Sequence, residues 1–189
     1  MKILNVPLDP EEVKKLRLGD VIYLTGEIFT ARDMAHLRIK NYLDEGKDLP
    51  IDLKNKVIFH AGPVVKEVDG QKILSVIGPT TSIRMEPYAD MLGKLGVKAI
   101  IGKGGMAEDT KRCCKEYGYV YLQAAPGCAV KLGKGVEKIN GVVWEELAMP
   151  EAVWKLQVKE FGPLVVAMDT TGESIYANLK EEALKKLEK

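Results

Sequence analysis

The chain has 189 residues, 46% of them hydrophobic and 29% charged, which supports one packed domain over residues 1–189 and excludes a disordered chain. Lys and Arg number 28 against 27 Asp and Glu, so a formal net charge of +1 offers no basic field for nucleic acid or anionic lipid. No stretch approaches the roughly 18 apolar residues of a membrane span, and residues 1–7 lack the apolar run of a leader, so no membrane partner is expected. In chain order, Val21-Ile22-Tyr23-Leu24-Thr25 predicts a strand closed by Gly26, with Ile28-Phe29-Thr30 leading to a polar loop. Ala31, Met34, Ala35, Ile39 and Tyr42 then take helical spacing, with Thr30 as N-cap and Asp33 in the place of a capping-box acid. An exposed connection at 48–53 precedes a strand at 57–61 that ends at Gly62-Pro63, and Asp69-Gly70 predicts a hairpin turn between strands at 64–68 and 72–77.

From Ser75 onward strands and helices alternate. Ser75-Val76-Ile77 leads into Gly78-Pro79-Thr80-Thr81-Ser82, a helix marked by Tyr88, Met91, Leu92 and Leu95 ends at Gly96, and a strand follows at 97–101. Gly102-Lys103-Gly104-Gly105 opens a second helix with Met106, Thr110, Cys113, Cys114 and Tyr117 on one side, Gly118 closes it, and residues 119–123 read as a strand. This βαβαβ order predicts a parallel sheet whose ligand loops lie at the carboxyl ends of its strands. Beyond it, residues 142–144 read as a strand, 150–161 as a helix and 164–168 as a buried strand, with Asn178 and Glu181 capping a terminal helix that reaches Leu187.

Thr80, Thr81, Ser82 and Arg84 follow a strand and precede a helix, where backbone N–H groups, the helix dipole and a guanidinium suit a carboxylate or phosphate. The other reading is that the hydroxyls cap the helix and Arg84 is solvated. Lys103 among glycines repeats the arrangement, without the spacing of a Walker A loop or a dinucleotide fingerprint, so an ordinary βα turn is the competing reading there. Arg32 adds a third cation in a third strand-to-helix loop. Three such cations suit a small dicarboxylate. His36 and His60 have no cysteine or carboxylate at zinc spacing, and His36, one turn after Arg32, reads as a packing or supporting residue. His60, at a strand end, suits either the site or the core. Cys113 and Cys114 read as small core residues and Cys128 as a loop thiol. The odd cysteine count argues against disulfides and for a reducing, cytoplasmic setting.

Thr25-Gly26-Glu27-Ile28-Phe29-Thr30-Ala31-Arg32-Asp33-Met34-Ala35-His36, Ala61-Gly62-Pro63, Gly78-Pro79-Thr80-Thr81-Ser82-Ile83-Arg84-Met85 and Gly102-Lys103-Gly104-Gly105-Met106 together resemble the β subunit, or carboxyl-terminal domain, of class I fumarate hydratase and the related L-tartrate dehydratase. The resemblance implies a swivelling β/β/α fold, an α/β class with a mixed sheet. It implies reversible hydration of fumarate to L-malate in a hetero-oligomer with a fumarase α subunit. It further implies a [4Fe–4S] cluster whose three cysteines belong to that α subunit and whose free iron acts as Lewis acid. Carried over by motif, Arg32, Thr81, Arg84 and Lys103 would bind the substrate, the three cations on its carboxylates, and Thr80 would remove the C3 proton of malate. These motifs do not separate fumarase from tartrate dehydratase. A non-catalytic anion-binding module is the competing class.

Overall fold

The structure, a computed structural model, describes residues 2–187. Its strands are β1 (Lys2–Val6), β2 (Val21–Thr30), β3 (Val57–Phe59), β4 (Ala61–Val68), β5 (Gln71–Pro79), β6 (Ala99–Gly102), β7 (Val120–Ala124), β8 (Val136–Val143) and β9 (Val153–Met168). The helices are α1 (Pro10–Val13), α2 (Asp33–Asp44), α3 (Ala89–Lys94), α4 (Glu108–Tyr117), α5 (Ala129–Lys134) and α6 (Ile175–Leu187), with a 3-10 helix at Ser82–Tyr88. Seven strands form one mixed sheet in the order β1-β2-β3-β6-β7-β9-β8. Strands β1, β2, β3, β6 and β7 run parallel, and β9 runs antiparallel to β7, β8 and also β2. The ladder β2-β3-β6-β7-β9 therefore closes back on β2.

Alternation along the strands divides the core in two. Val57 and Phe59 of β3, Ala99 and Ile101 of β6, and Val120 and Leu122 of β7 join Leu24, Leu156, Val158 and Phe161 in one cluster. Ile58, Ile100 and Tyr121 point the other way, into a second cluster with Ala35 and Ile39 of α2, Leu92 of α3, and Cys113 and Cys114 of α4. The two adjacent thiols are fully buried among apolar side chains, as their helical spacing implies. Because β2, β3 and β6 are parallel, the segments that follow them emerge at one edge. The candidate residues sit there.

The hairpin turn falls at Asp69-Gly70, both with positive φ, but Gly62-Pro63 lies inside β4 rather than ending a strand. Ser75, Val76 and Ile77 belong to this two-stranded hairpin, not to the parallel sheet, so β3 is the strand that pairs with β6. Gly26 does not close β2. It lies within the strand at φ 125°, opposite Val6, where a Cβ would stand 2.4 Å from the Val6 carbonyl oxygen. Thr30 is not the cap of α2; its hydroxyl accepts from Trp154 N–H at 3.0 Å and joins β2 to β9. Residues 150–161 are not a helix. Leu156 and Val158 alternate with half-buried neighbours along β9, and the same strand continues through the run at 164–168. In the connection at 48–53, Ile51 and Leu53 are buried. The terminal helix begins at Ile175, a residue after Ser174, whose hydroxyl accepts weakly from Ala177 N–H at 3.4 Å, so Asn178 is inside it.

Candidate active site

Arg32 and Asp33 follow β2, His60 follows β3, Lys103 follows β6, and β5 brings Thr80 back to the base of its hairpin beside His60. Main-chain bonds join these segments. Thr80 N–H donates to His60 C=O at 2.7 Å, Ser82 N–H to Lys103 C=O at 3.1 Å, and Lys103 N–H to Thr80 C=O at 3.3 Å. Thr81, exposed, forms the bridge to Lys103. The Thr80 and Lys103 loops, 23 positions apart in sequence, thus form one surface.

Arg84 Nε and Nη2 each donate to a carboxylate oxygen of Asp33 at 2.9 Å, and Nη2 also donates to Thr80 Oγ1 at 3.1 Å. Arg84, though exposed, thus forks onto a carboxylate of its own chain, and its two Nη1 protons find no partner among the described residues. These hydrogen bonds hold the Asp33 carboxyl below its usual range and raise Arg84 further. Arg32 pairs with Glu151, Nε lying 3.2 Å from Oε1, but its N–H is not directed at that oxygen, so the attraction is Coulombic. Among the described residues Lys103 makes no ion pair.

Carboxylates of the chain itself occupy amino-terminal N–H groups of two helices at this edge. Glu86 caps α4, accepting from Ala107 N–H and Thr110 N–H at 2.8 Å and from the Thr110 hydroxyl at 2.6 Å. Glu151 accepts from Met34 N–H at the start of α2 at 3.0 Å. The segment that carries Arg84 opens as a 3-10 helix, Ser82–Tyr88, without a side-chain cap. Neither Glu86 nor Glu151 stands out in the sequence as a site residue. Glu86 offers only its nearness to Arg84, and Glu151 lies 117 positions from the amide it caps.

His36 and His60 lie beneath these loops, both fully buried, with ring centroids 5.2 Å apart. His36 Nδ1 lies 2.7 Å from Arg32 C=O, and since a carbonyl only accepts, Nδ1 carries the proton. Burial drives the His36 pKa down to about 4, and burial together with the neighbouring His36 and Arg84 drives His60 well below its usual value. Both rings stay neutral in the fold while the unfolded chain protonates near 6.5, so stability is lost as pH falls from about 6.5 toward 4. His36 alone is expected to lower unfolding free energy by about 2 kcal/mol between pH 7 and 4.5, with His60 adding in the same direction. Urea unfolding at the two pH values checks this, and equal midpoints would refute it.

Among the described residues no group of three or more His, Cys, Asp or Glu side chains is placed to hold a metal ion. Cys113 and Cys114 are buried in the core, and the half-buried Cys128 thiol donates to Ala125 C=O at 2.6 Å. The described residues thus bring no three cysteines together, and the resemblance assigns the cluster's cysteines to an α subunit.

The family model described as Fumarase C-terminus matches residues 2–179. The chain is 46% identical over 182 residues to the "Putative L(+)-tartrate dehydratase subunit beta" of Methanocaldococcus jannaschii, covering 95% of this chain and 93% of that one. It is 42% identical over 181 residues to the L(+)-tartrate dehydratase subunit beta of Escherichia coli strain K12, covering 95% and 89%. Against the "Putative fumarate hydratase class I" of Geobacillus stearothermophilus it is 40% identical over 186 residues, covering 97% of this chain and 35% of that protein. No helix of the described residues is long and apolar enough to cross a membrane. With the family model spanning nearly the whole sequence and relatives aligned along 95% or more of it, the chain belongs to the fumarase C-terminus family.

Proposed function

We propose that this chain is the β subunit of a fumarate hydratase, interconverting fumarate and L-malate at a site completed by an α subunit. The hydrogen bond from Arg84 to Thr80 carries the reading. A guanidinium proton on the Thr80 oxygen favours the alkoxide over the alcohol, which is the tuning a threonine needs to act as a base. Asp33 partly offsets that charge and fixes the guanidinium plane. Arg32, Lys103 and the Nη1 edge of Arg84 are the groups that would hold two carboxylates, with Thr81 beside them on the same surface.

The partner follows from two comparisons. The matching stretch forms most of a separate β subunit in Escherichia coli and about a third of one longer chain in Geobacillus stearothermophilus, so this unit occurs both free and fused. We place the [4Fe–4S] cluster on the α partner. Dehydration of L-tartrate is the second reading, favoured by the names and near full-length match of the Methanocaldococcus and Escherichia relatives.

Anaerobic mixing of the chain with a cysteine-bearing α subunit tests the proposal. Hydration of fumarate that neither chain performs alone is the expected result. Turnover of L-tartrate without turnover of fumarate moves the assignment to the second reading. Inactivity toward both, with anion binding retained, leaves a non-catalytic module.

A further inference from the structure

His60 is a fully buried polar side chain whose Nε2 finds no hydrogen-bond partner among the described residues, a cost that packing alone does not explain. We propose that His60 is a positioning residue which, through Ser82, holds the Thr80–Arg84 segment and the Lys103 loop in one register. The proposal rests on the hydro-lyase reading and extends it to a residue that would not touch the substrate.

The residue stands where three segments meet. Its N–H donates to Ile101 C=O at 2.8 Å, anchoring the end of β3 to β6, and its C=O receives the Thr80 N–H that closes the hairpin base. Its ring Nδ1 lies 2.9 Å from Ser82 Oγ and shares a hydrogen bond with it. Ser82 is also fully buried, so its hydroxyl depends on protein partners. The same serine donates its N–H to Lys103 C=O, and Lys103 donates back to Thr80 C=O, so the ring of His60 ties off a closed circuit of bonds around Thr80 and Lys103.

Gly102 makes this circuit possible. A Cβ there would stand 1.7 Å from Ser82 Oγ and 3.1 Å from the Tyr121 hydroxyl, so only a glycine lets these hydroxyls approach the sheet at this point. The Tyr121 hydroxyl in turn donates to Gly104 C=O at 2.9 Å, holding the loop on the far side of Lys103. Lys103 is thus fixed from both flanks, and one flank ends on His60. A packing role for His60 requires only its volume, whereas a positioning role requires the nitrogen at Nδ1.

His60→Phe keeps the volume and removes that nitrogen, Ser82→Ala removes the other partner, and His60→Asn returns an amide near the place of Nδ1. In the α/β complex, His60→Phe and Ser82→Ala should each lower kcat/KM by roughly ten- to a hundredfold, the scale for a misplaced site. The double variant should be no worse than the poorer single one, and His60→Asn should recover most of the loss. Amide exchange on the full chain alone supplies a second readout. Ser82 and Lys103 N–H should exchange faster in both single variants, while Ile58 and Ile100 in the sheet are unchanged. Wild-type kcat/KM with unchanged Ser82 and Lys103 exchange in Ser82→Ala, which is the variant least able to disturb folding, would overturn the proposal. If the wild-type complex turns over no four-carbon acid, the functional reading fails, and the exchange result still decides the positioning role.

Discussion

Thr80→Ala in the α/β complex is expected to lower turnover by about 10²-fold or more while fumarate and malate still bind. Thr80 Oγ1 accepts a hydrogen bond from Arg84 Nη2, so removing the hydroxyl deletes the group that would take the malate proton and leaves the cations in place. The competing role, capping the following helix, finds no support in the geometry. The 3-10 helix at Ser82–Tyr88 has Thr81 at its N-cap position and no side-chain cap bond. Stability should therefore change little, well under the ~1 kcal/mol typical of a lost cap. Thr81→Ala is the comparison: Thr81 is exposed and meets Lys103 through the main chain, so its loss should raise KM and leave kcat largely intact. Thr80→Ser keeps a hydroxyl and should retain measurable activity. Near-normal turnover in Thr80→Ala, with solvent deuterium still entering malate at C3 at the wild-type rate, would remove Thr80 as the base.

The candidate cations stood out in the sequence because each lies in a loop that follows a strand, a local pattern. Their neutralising partners did not. Asp33 stands next to Arg32 in sequence yet pairs with Arg84, 51 positions away, and Arg32 itself turns to Glu151. Such choices are made by the sheet, which sets β2 beside β3 and β6 and returns β5 to the same edge. The fold shows the same division. The Asp69-Gly70 hairpin and the helix ended by Gly118 depend on local chemistry, and both stand where their residues indicate. β9 is different. Val153, Trp154, Leu156 and Val158 fit a partial helical period as well as an alternating one, and pairing with β2 and β8 decides for the strand. Thr30 likewise has the chemistry of a cap, but a bond to Trp154 N–H across the sheet claims its hydroxyl.

Arg84→Lys is expected to cost the complex about 1.5–3 kcal/mol in transition-state stabilisation, the scale for a charged hydrogen bond, or roughly 10- to 100-fold in kcat/KM. Lysine keeps the charge but has no planar fork, so it cannot hold both oxygens of Asp33, reach Thr80 Oγ1 and still offer a ligand two further protons. Rate and affinity should fall together, because in the proposed site the same guanidinium would serve both the base and a substrate carboxylate. The protein itself should barely lose stability. Arg84 and Asp33 are both more than a third exposed, and such ion pairs contribute little to folding. Asp33→Asn separates the two functions of Arg84. The amide retains an acceptor but no charge, so the guanidinium keeps its full attraction for a dicarboxylate and loses the clamp that orients it toward Thr80. KM should stay near the wild-type value while kcat falls. Unchanged kinetics in Arg84→Lys would reduce the Asp33–Arg84 pair to a surface link between α2 and the Thr80 segment, and would remove the positive charge on which the proposed role of Thr80 as base depends.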